Sequence, residues 1–533
     1  MPRVTRALPG GSVAAARATE PRDDVVVERE LGDGRFVAER GPFAAYERIV
    51  TVDPDGTVHE AIDYRLAPLV WRVPFGWLYR HALGHPPRRG TKPFWAPPET
   101  ADATAATALG ALCTLAIVFG YLGTLLTQTI TFAADELGAS KADQGATLAA
   151  VRLGVLGAVA LTALADRRGR RSVLLGSAAV ACVVSAVAAL APDLVTIGVS
   201  QAIVRGLATA GAVMLAIIAA EEMPAGSRAF AVSLLTMSGA LGVGMCLWAL
   251  PLADTGPGGW RLLFALPLLG LPVVRHVGRH LTESRRFTVT HAAAGMVGHG
   301  RRFWLLATSA LLLNLFTAPA SQLMNEFLRD ERGFSASRIS LFTILTNTPG
   351  AIGIVIGGRL ADNRGRRVVG AVGVAGGVGL TVAMVLSGGW PMWALSVGGA
   401  IVGAATVPAL GVYGPELFPT SLRGRANGII AILGVAGSVV GLLVAGILSE
   451  RWDGLGPALA VLAIGPALMA LLVLVAYPET AHRELEDINP EDRTPEEQTA
   501  AGRPAPAGGD LDGHRASAVA PDAPEPRPTS APR

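Results

Sequence analysis

The side chains best suited to chemistry in this sequence are carboxylates and guanidinium groups crowded into two short turns. Leu164-Ala165-Asp166-Arg167-Arg168-Gly169-Arg170-Arg171 returns 196 positions later as Leu360-Ala361-Asp362-Asn363-Arg364-Gly365-Arg366-Arg367. Glu221 and Arg228, with Pro224 between them, return 195 positions on as Glu416, Arg423 and Pro419. A carboxylate facing an arginine where a helix leaves a bilayer is partly desolvated, and such a pair favours one packing by about a kcal/mol or more. If the pair exists in only one arrangement of the chain, it biases the equilibrium between arrangements. The chemistry expected of Asp166, Arg167, Arg170, Glu221, Arg228, Asp362, Arg366, Glu416 and Arg423 is therefore switching, a gate or latch. The same arginines can also set membrane orientation.

Catalytic patterns are missing: no Gly-rich phosphate loop ends in Lys-Ser/Thr, and no Ser sits on a GxSxG elbow. No His cluster has metal-ligand spacing. The chain is expected not to be an enzyme, to carry no cofactor or metal, and to draw energy from an ion or solute gradient.

Half of the residues are hydrophobic (51%), only 16% are charged, and the mean hydropathy is +0.43. That excludes an ordinary soluble protein of this length and predicts an integral membrane protein. The three cysteines, Cys113, Cys182 and Cys246, lie in apolar runs and read as small core residues. Lysine is confined to Lys92 and Lys141, so arginine carries nearly all positive charge, a bias most simply ascribed to a GC-rich genome. Residues 1–20 contain no apolar segment of secretory-signal length.

The third repeated pair, Thr282-Glu283-Ser284 and Pro478-Glu479-Thr480, is again 196 apart. Three anchors at one offset report an internal duplication of a whole multi-span half. The C-terminal turn, beginning at Gly358, resembles the loop signature of the major facilitator superfamily. The stretch Pro415-Glu416-x-x-Pro419-x-x-x-Arg423-Gly424, with Pro478-Glu479-Thr480, resembles its sugar-porter-like, metabolite:proton symporter branch. The resemblance covers roughly residues 105–488. It departs from the pattern at Thr162, where the first copy usually has Gly, and in the missing glutamine-rich motifs of the seventh span. The resemblance implies an all-α membrane fold of twelve helices in two pseudo-symmetric six-helix halves. It also implies that the signature charges hold the cytoplasmic side shut while the outside is open.

Apolar segments long enough to span a bilayer are expected near 106–130, 144–165, 172–191, 194–219, 229–252, 260–278, 303–325, 339–361, 368–387, 391–412, 425–449 and 456–477. The domains follow: 1–100, an N-terminal cytoplasmic region; 101–288, the first half; 289–302, a linker; 303–483, the second half; 484–533, a disordered tail. A short surface helix is expected to begin at Glu283–Phe287. In the N-terminal region, alternation over 46–52 and 58–66 around Asp53-Pro-Asp-Gly56 predicts a β-hairpin. The aromatic and basic segment 69–81 then reads as an anchor lying on the membrane, or as part of a small soluble domain, ahead of a Pro-rich linker. With both signature turns in the cytoplasm, sixteen loop arginines lie on that side against six basic residues on the other. That bias predicts a plasma-membrane protein with both termini cytoplasmic.

Polar residues inside the spans are the substrate-cavity candidates: Tyr121, Gln128, Arg152, Arg205, Asn314, Gln322 and Asn347. Arg152 and Arg205 fall near mid-membrane, where a charge needs a partner; no carboxylate of that half is placed so deep, which suggests an anionic solute. Glu326 is the candidate for proton coupling, and can alternatively pair with Arg329. Each polar residue can equally be a helix-packing hydrogen bond. The expected function is secondary active transport of a small polar solute, anionic on the reading of Arg152 and Arg205, by alternating access, coupled to protons. A drug or metabolite efflux antiporter and a non-transporting sensor or scaffold are the alternatives. The chain is expected to act as a monomer in the lipid bilayer and not to bind nucleic acid.

Overall fold

The computed structural model describes residues 2–492, apart from 69–70, 87–91, 140, 257, 284–297, 325–326, 335 and 453. Glu326 and the surface helix expected beyond Glu283 lie outside the described residues.

Residues 2–100 build a five-stranded antiparallel sheet. Its strands are β1 (Arg3–Leu8), β2 (Val27–Gly32), β3 (Arg35–Arg40), β4 (Phe43–Val52) and β5 (Val58–Leu66), in the order β1-β5-β4-β3-β2. Helix α1 (Val13–Ala18) is capped by the Ser12 hydroxyl, and helix α2 (Arg72–Leu83) follows the sheet. The alternation expected over 46–52 and 58–66 produces β4 and β5, paired from Phe43↔Leu66 to Val52↔Val58. Inside the sheet domain, Arg48 is fully buried and donates to Glu28 at 2.9 Å and to Glu60 at 3.2 Å. It also donates to the Ala18 and Glu20 carbonyls. The Tyr46 hydroxyl donates to Glu28 as well, and burial, with the Glu28 charge beside it, pushes its phenol pKa well up.

The aromatic segment does not behave as one membrane-surface anchor. Tyr79 is wedged edge-on between Phe43 (5.6 Å) and Trp95 (4.9 Å) as part of the sheet domain's own core. The Trp71 indole instead donates to the Gly110 carbonyl at 2.8 Å, tying the domain to the first membrane helix. The rings divide because one helix face meets the sheet while its first turn meets the bundle.

Beyond residue 100 the regular structure among the described residues is all helical: α3 (Ala103–Leu137), α4 (Lys141–Arg152), α5 (Val155–Arg168), α6 (Arg170–Ala188), α7 (Leu194–Glu222), α8 (Arg228–Ala249), α9 (Gly259–Ala265) and α10 (Gly270–His280) in the first half. The second half holds α11 (Gly300–Gln322), α12 (Ala336–Asn347), α13 (Gly350–Arg364), α14 (Arg366–Leu386), α15 (Gly389–Ala404), α16 (Thr406–Gly411), α17 (Tyr413–Glu416), α18 (Arg423–Arg451), α19 (Leu455–Leu462) and α20 (Ile464–Ala476). Among the described residues, 11 stretches are long and apolar enough to cross a membrane. The stretch expected as the second span, 144–165, is instead divided between α4 and α5.

That division has a counterpart. The chain breaks at Leu153-Gly154, where a Cβ on Gly154 would collide with the Ala202 carbonyl of α7. It breaks again 195 positions on at Thr348-Pro349, where proline removes a backbone donor.

The halves meet along two equivalent seams, α5 against α18 and α8 against α13. Thr162 is fully buried in the first seam, and a Cβ on Gly428 opposite would lie 2.7 Å from its hydroxyl. In the second seam the sizes are exchanged: a Cβ on Gly358 would lie 2.8 Å from the Ser233 hydroxyl. The departure at Thr162 is thus matched by a glycine on the facing helix.

The chain from 484, expected as a disordered tail, is ordered as far as it is described. A short helix, α21 (Leu485–Ile488), tucks Leu485 and Ile488 into the bundle, and Asn489 and Asp492 are buried. The reason is local: two apolar side chains find a core, and the Asp492 carboxylate accepts from the Thr420 amide at 2.8 Å and from its hydroxyl at 2.9 Å.

Arg48→Ala should leave the buried Glu28 carboxylate without its cation, Glu60 keeping Arg6, and cost the sheet about 3–5 kcal/mol. Hydrogen exchange on the full-length protein should show β2–β5 amides losing protection while the membrane helices keep theirs; unchanged protection in the sheet would contradict the ion-pair core.

Candidate functional site: a crossed charge network between the halves

The two signature turns share one backbone geometry. Gly169 and Gly365 sit at φ +100° and +101°, a region that disfavours a side chain, and each breaks one helix and starts the next. The opening turns of α6 and α14 then expose amides to a carboxylate from the third repeated motif. Glu283 accepts from the Arg170 and Arg171 amides at 2.9 and 3.1 Å, and Glu479 from the Arg366 and Arg367 amides at 3.0 and 3.3 Å. A carboxylate at a helix N-terminus satisfies orphan donors and the helix dipole together.

Each aspartate reaches across to the other half. Asp166, at the end of α5, accepts from the amides of Gly424 (3.2 Å) and Arg425 (3.0 Å) at the start of α18. Asp362, at the end of α13, accepts from the amides of Ala229 (3.3 Å) and Phe230 (2.9 Å) at the start of α8. Each also faces the arginine four residues on, Arg170 at 3.7 Å and Arg366 at 3.2 Å.

The two glutamates complete the crossing. Glu221 is bound by Arg170 of its own half and by Arg423 of the other. Glu416 is bound by Arg366 of its own half and, at 3.4 Å, by Arg228 of the other. Neither glutamate therefore takes the arginine that follows it in its own motif, as the sequence spacing suggests. The chain turns at Pro224 and Pro419 and carries Arg228 and Arg423 over the seam. The guanidinium groups bridge further, Arg170 to the Thr420 carbonyl (2.7 Å) and Arg366 to the Ala225 carbonyl (3.2 Å). Arg170, Arg366, Arg423, Asp362 and Glu416 are fully buried, and Arg228 and Glu221 nearly so. Arg167 is exposed at the end of α5, outside the network.

Sequence reasoning missed several participants. Asp492 pairs with Arg423 at 3.2 Å, and Glu484 with Arg228 at 3.3 Å, both from the chain after the last span. Glu99 accepts from the Gly226 amide (2.9 Å). Arg359 donates to the Phe94 and Ala96 carbonyls at 2.9 and 2.8 Å. The linker 92–100 therefore touches both halves. Glu283 and Glu479 were visible as repeat anchors; Glu99, Glu484 and Asp492 lie outside the repeated motifs, and Arg359 stands in the second signature turn where the first has Ala163, so none of these carried a signal.

The cavity candidates separate into groups. Tyr121 donates to the Leu263 carbonyl at 2.9 Å, and Asn314 donates to the Ala310 carbonyl and accepts from Ser438 at 3.3 Å; both act as packing hydrogen bonds. Arg152, in the last turn of α4, donates to the Gln322 amide oxygen at 2.6 Å and so links the halves away from the signature turns. Arg205, on α7, is exposed. Gln128 is half-buried on α3. Asn347 lines a cavity of about 440 Å³ in the second half, together with Thr346 and Thr406. Those two buried hydroxyls have no hydrogen-bond partner among the described residues. Among the described residues no cluster of His, Cys, Asp or Glu could hold a metal ion.

Known proteins share this architecture. The profile of the Major Facilitator Superfamily matches residues 108–397 and 303–508. A gallate transporter of Pseudomonas putida is 26% identical over 413 residues, covering 67% of this chain and 87% of that protein. The proton:xylose symporter XylE, bound to 6-bromo-6-deoxy-D-glucose, superposes with a TM-score of 0.60 at 18% identity, over 73% of this chain and 99% of that one. The human organic anion transporter MFSD10 (TETRAN) superposes with a TM-score of 0.57 at 15% identity, over 69% of this chain and 99% of that one. With the duplicated signature turns, the matching profile and the shared fold, the chain belongs to the Major Facilitator Superfamily, as a multi-pass membrane protein of the secondary transporters.

Proposed function

We propose that the protein moves a small organic carboxylate by alternating access, and that the crossed charge network is the latch of its cytoplasmic gate. The observation carrying the latch is that Glu221 and Glu416 each need an arginine from both halves to be satisfied out of water. Separating the halves breaks both sites at once and admits water to the charges. Removing one partner from a buried pair costs about 3–5 kcal/mol, whereas shifting a two-state equilibrium from 1:99 to 99:1 takes about 5.5 kcal/mol. Two such sites are therefore of the right size to hold a gate that substrate binding and a proton gradient can still open.

The anionic reading rests on two cations of the first half, Arg152 in the last turn of α4 and Arg205 within α7. Arg152 is held by a neutral amide oxygen, so its charge is not cancelled by that bond. A carboxylate entering between the halves meets a positive field and can be held bidentately by one guanidinium. Gallate, the solute named for the Pseudomonas putida relative, is a carboxylate of this kind. Thr346, Thr406 and Asn347 offer hydroxyl and amide groups for the polar substituents of such a solute. Proton coupling is assigned to Glu326 on its sequence position alone.

Three outcomes follow. In proteoliposomes, carboxylates should compete for uptake and neutral sugars should not, with Arg205→Gln raising the half-saturating concentration about tenfold, the equivalent of about 1.4 kcal/mol; competition by neutral solutes only, with Arg205→Gln unchanged, would remove the anionic reading. Glu326→Gln should abolish uptake driven by a pH gradient while leaving exchange intact, and unaltered gradient-driven uptake would clear Glu326 of that role. Asp362→Asn keeps an oxygen for the Phe230 amide and should cost about 1 kcal/mol, while Glu416→Gln removes the charge that two buried guanidinium groups share, leaving Arg366 only Asp362 and Arg228 only the half-exposed Glu484 as carboxylate partners among the described residues, and should cost more. Thermal unfolding in detergent compares the two, and equal losses would mean that the glutamate is not the centre of the network.

A further inference from the structure

A second cavity, of about 620 Å³, lies where the sheet domain, the linker and both halves meet, and nothing in the transport reading uses it. The sheet domain and its helix supply Val25, Leu66, Trp71 and Tyr79, and the linker supplies Trp95 and Pro97. Helix α3 contributes Leu109 and Cys113, α8 contributes Phe230, Leu234 and Met237, and the second half closes it with Thr348 and Ala351. Asp24, Thr100 and Ser238 are the other polar side chains on a lining that is otherwise almost all carbon. Asp24 is already paired with Arg22 at 2.7 Å, and the Thr100 hydroxyl accepts from Lys92 at 2.7 Å.

A space of this character repels water. An apolar cavity of about 150 Å³ stays dry and takes up benzene, and this one is about four times larger. Its walls in α3, α8 and α13 belong to stretches long and apolar enough to cross the membrane, and the lining residue Leu241 of α8 is 41% exposed. The cavity is thus continuous with the surface that the hydrocarbon chains of the bilayer cover. We propose that it is a lipid site: one acyl chain of a membrane phospholipid enters beside Leu241 and fills it, reaching the indole of Trp95.

Occupancy at this place bears on the latch. Phe230 lines the cavity while its amide is held by Asp362 across the seam. Thr100 lines it while its neighbour Glu99 holds the Gly226 amide. Ala351 and Phe230 come from opposite halves, so the cavity has its full wall only when the halves are together on the signature side. A chain that fits this form and not the separated one favours the closed latch, as any ligand with differential affinity must. The inference depends on the membrane placement and the latch, and not on which solute is carried.

The test uses the full chain in nanodiscs made from phosphatidylcholine with brominated acyl chains, which quench tryptophan on contact. The Trp95 contribution is the difference between wild type and Trp95→Phe. It should fall at least twofold on going from ordinary to brominated lipid, and that quenching should disappear in the Ala106→Phe/Ala351→Phe variant, whose rings fill the cavity. Trp95 emission unaffected by bromine in the wild type would overturn the site, a result that needs no variant to fold. Equal quenching in the filled variant would overturn it too. The filled variant should also raise the closed-to-open ratio of the signature face severalfold, read from label distances; an unchanged ratio in a filled and folded variant would overturn the coupling. Failure of carboxylate uptake leaves all three readouts standing, so the two proposals fail separately.

Discussion

The structure depends on one constraint: a carboxylate withdrawn from water must be met by more than one donor. Glu221 and Glu416 are met by guanidinium groups from both halves, Arg170 with Arg423 and Arg366 with Arg228. Satisfaction of each glutamate is therefore a property of the assembled pair of halves. The aspartates extend the rule, because among the described residues Asp166 and Asp362 accept backbone amides from the opposite half's helix. When the halves part, these groups return to water, where charge is cheap. A buried network that is stable closed and tolerable open is what a gate requires.

Packing around the network obeys the same pseudo-symmetry with one local exchange. The seams bring helix backbones close enough that Gly428 and Gly358 have no room for a Cβ, yet the facing residues are Thr162 and Ser233. Each seam thus carries one glycine and one hydroxyl, on opposite sides. The broken stretches at Leu153-Gly154 and Thr348-Pro349 are likewise equivalent, and each break leaves a cavity candidate, Arg152 or Asn347, in the last turn of the helix before it. A side chain at a helix C-terminus in a membrane finds partly free carbonyls, which lowers the cost of a cation there.

The duplication, the apolar stretches and the β4–β5 alternation were legible because each repeats a physical period: 196 residues, a bilayer thickness, or the two-residue pleat. The charged residues that the repeats supply to the network were legible, although Arg167 stands outside it and Glu484 and Asp492 join it from beyond the last span. Its pairing was not, since sequence spacing suggests that Arg228 serves Glu221, whereas the fold hands it to Glu416. Glu99 and Asp492 gave no signal because they lie outside the repeated motifs, and Arg359 gave none because its counterpart in the first copy is Ala163; each acquires its partner only by long-range packing. The strands β1, β2 and β3 escaped notice for a related reason: their inward groups include Glu28, which is buried through Arg48 and not through an apolar side chain. The order of residues 485–492 escaped because two apolar residues in a polar context carry little weight until a core is found for them.

The central claim, that the crossed network holds the gate, is tested most directly by one distance. Arg168 and Arg364 are exposed, equivalent positions in the two halves, and can carry spin labels after the buried cysteines are replaced. In the lipid bilayer the unaltered network should give a dominant short distance, and Glu221→Gln with Glu416→Gln should convert most molecules to a second, longer one. The same single short distance in that double variant would show that the halves are held together on this face by something other than the four arginines and two glutamates.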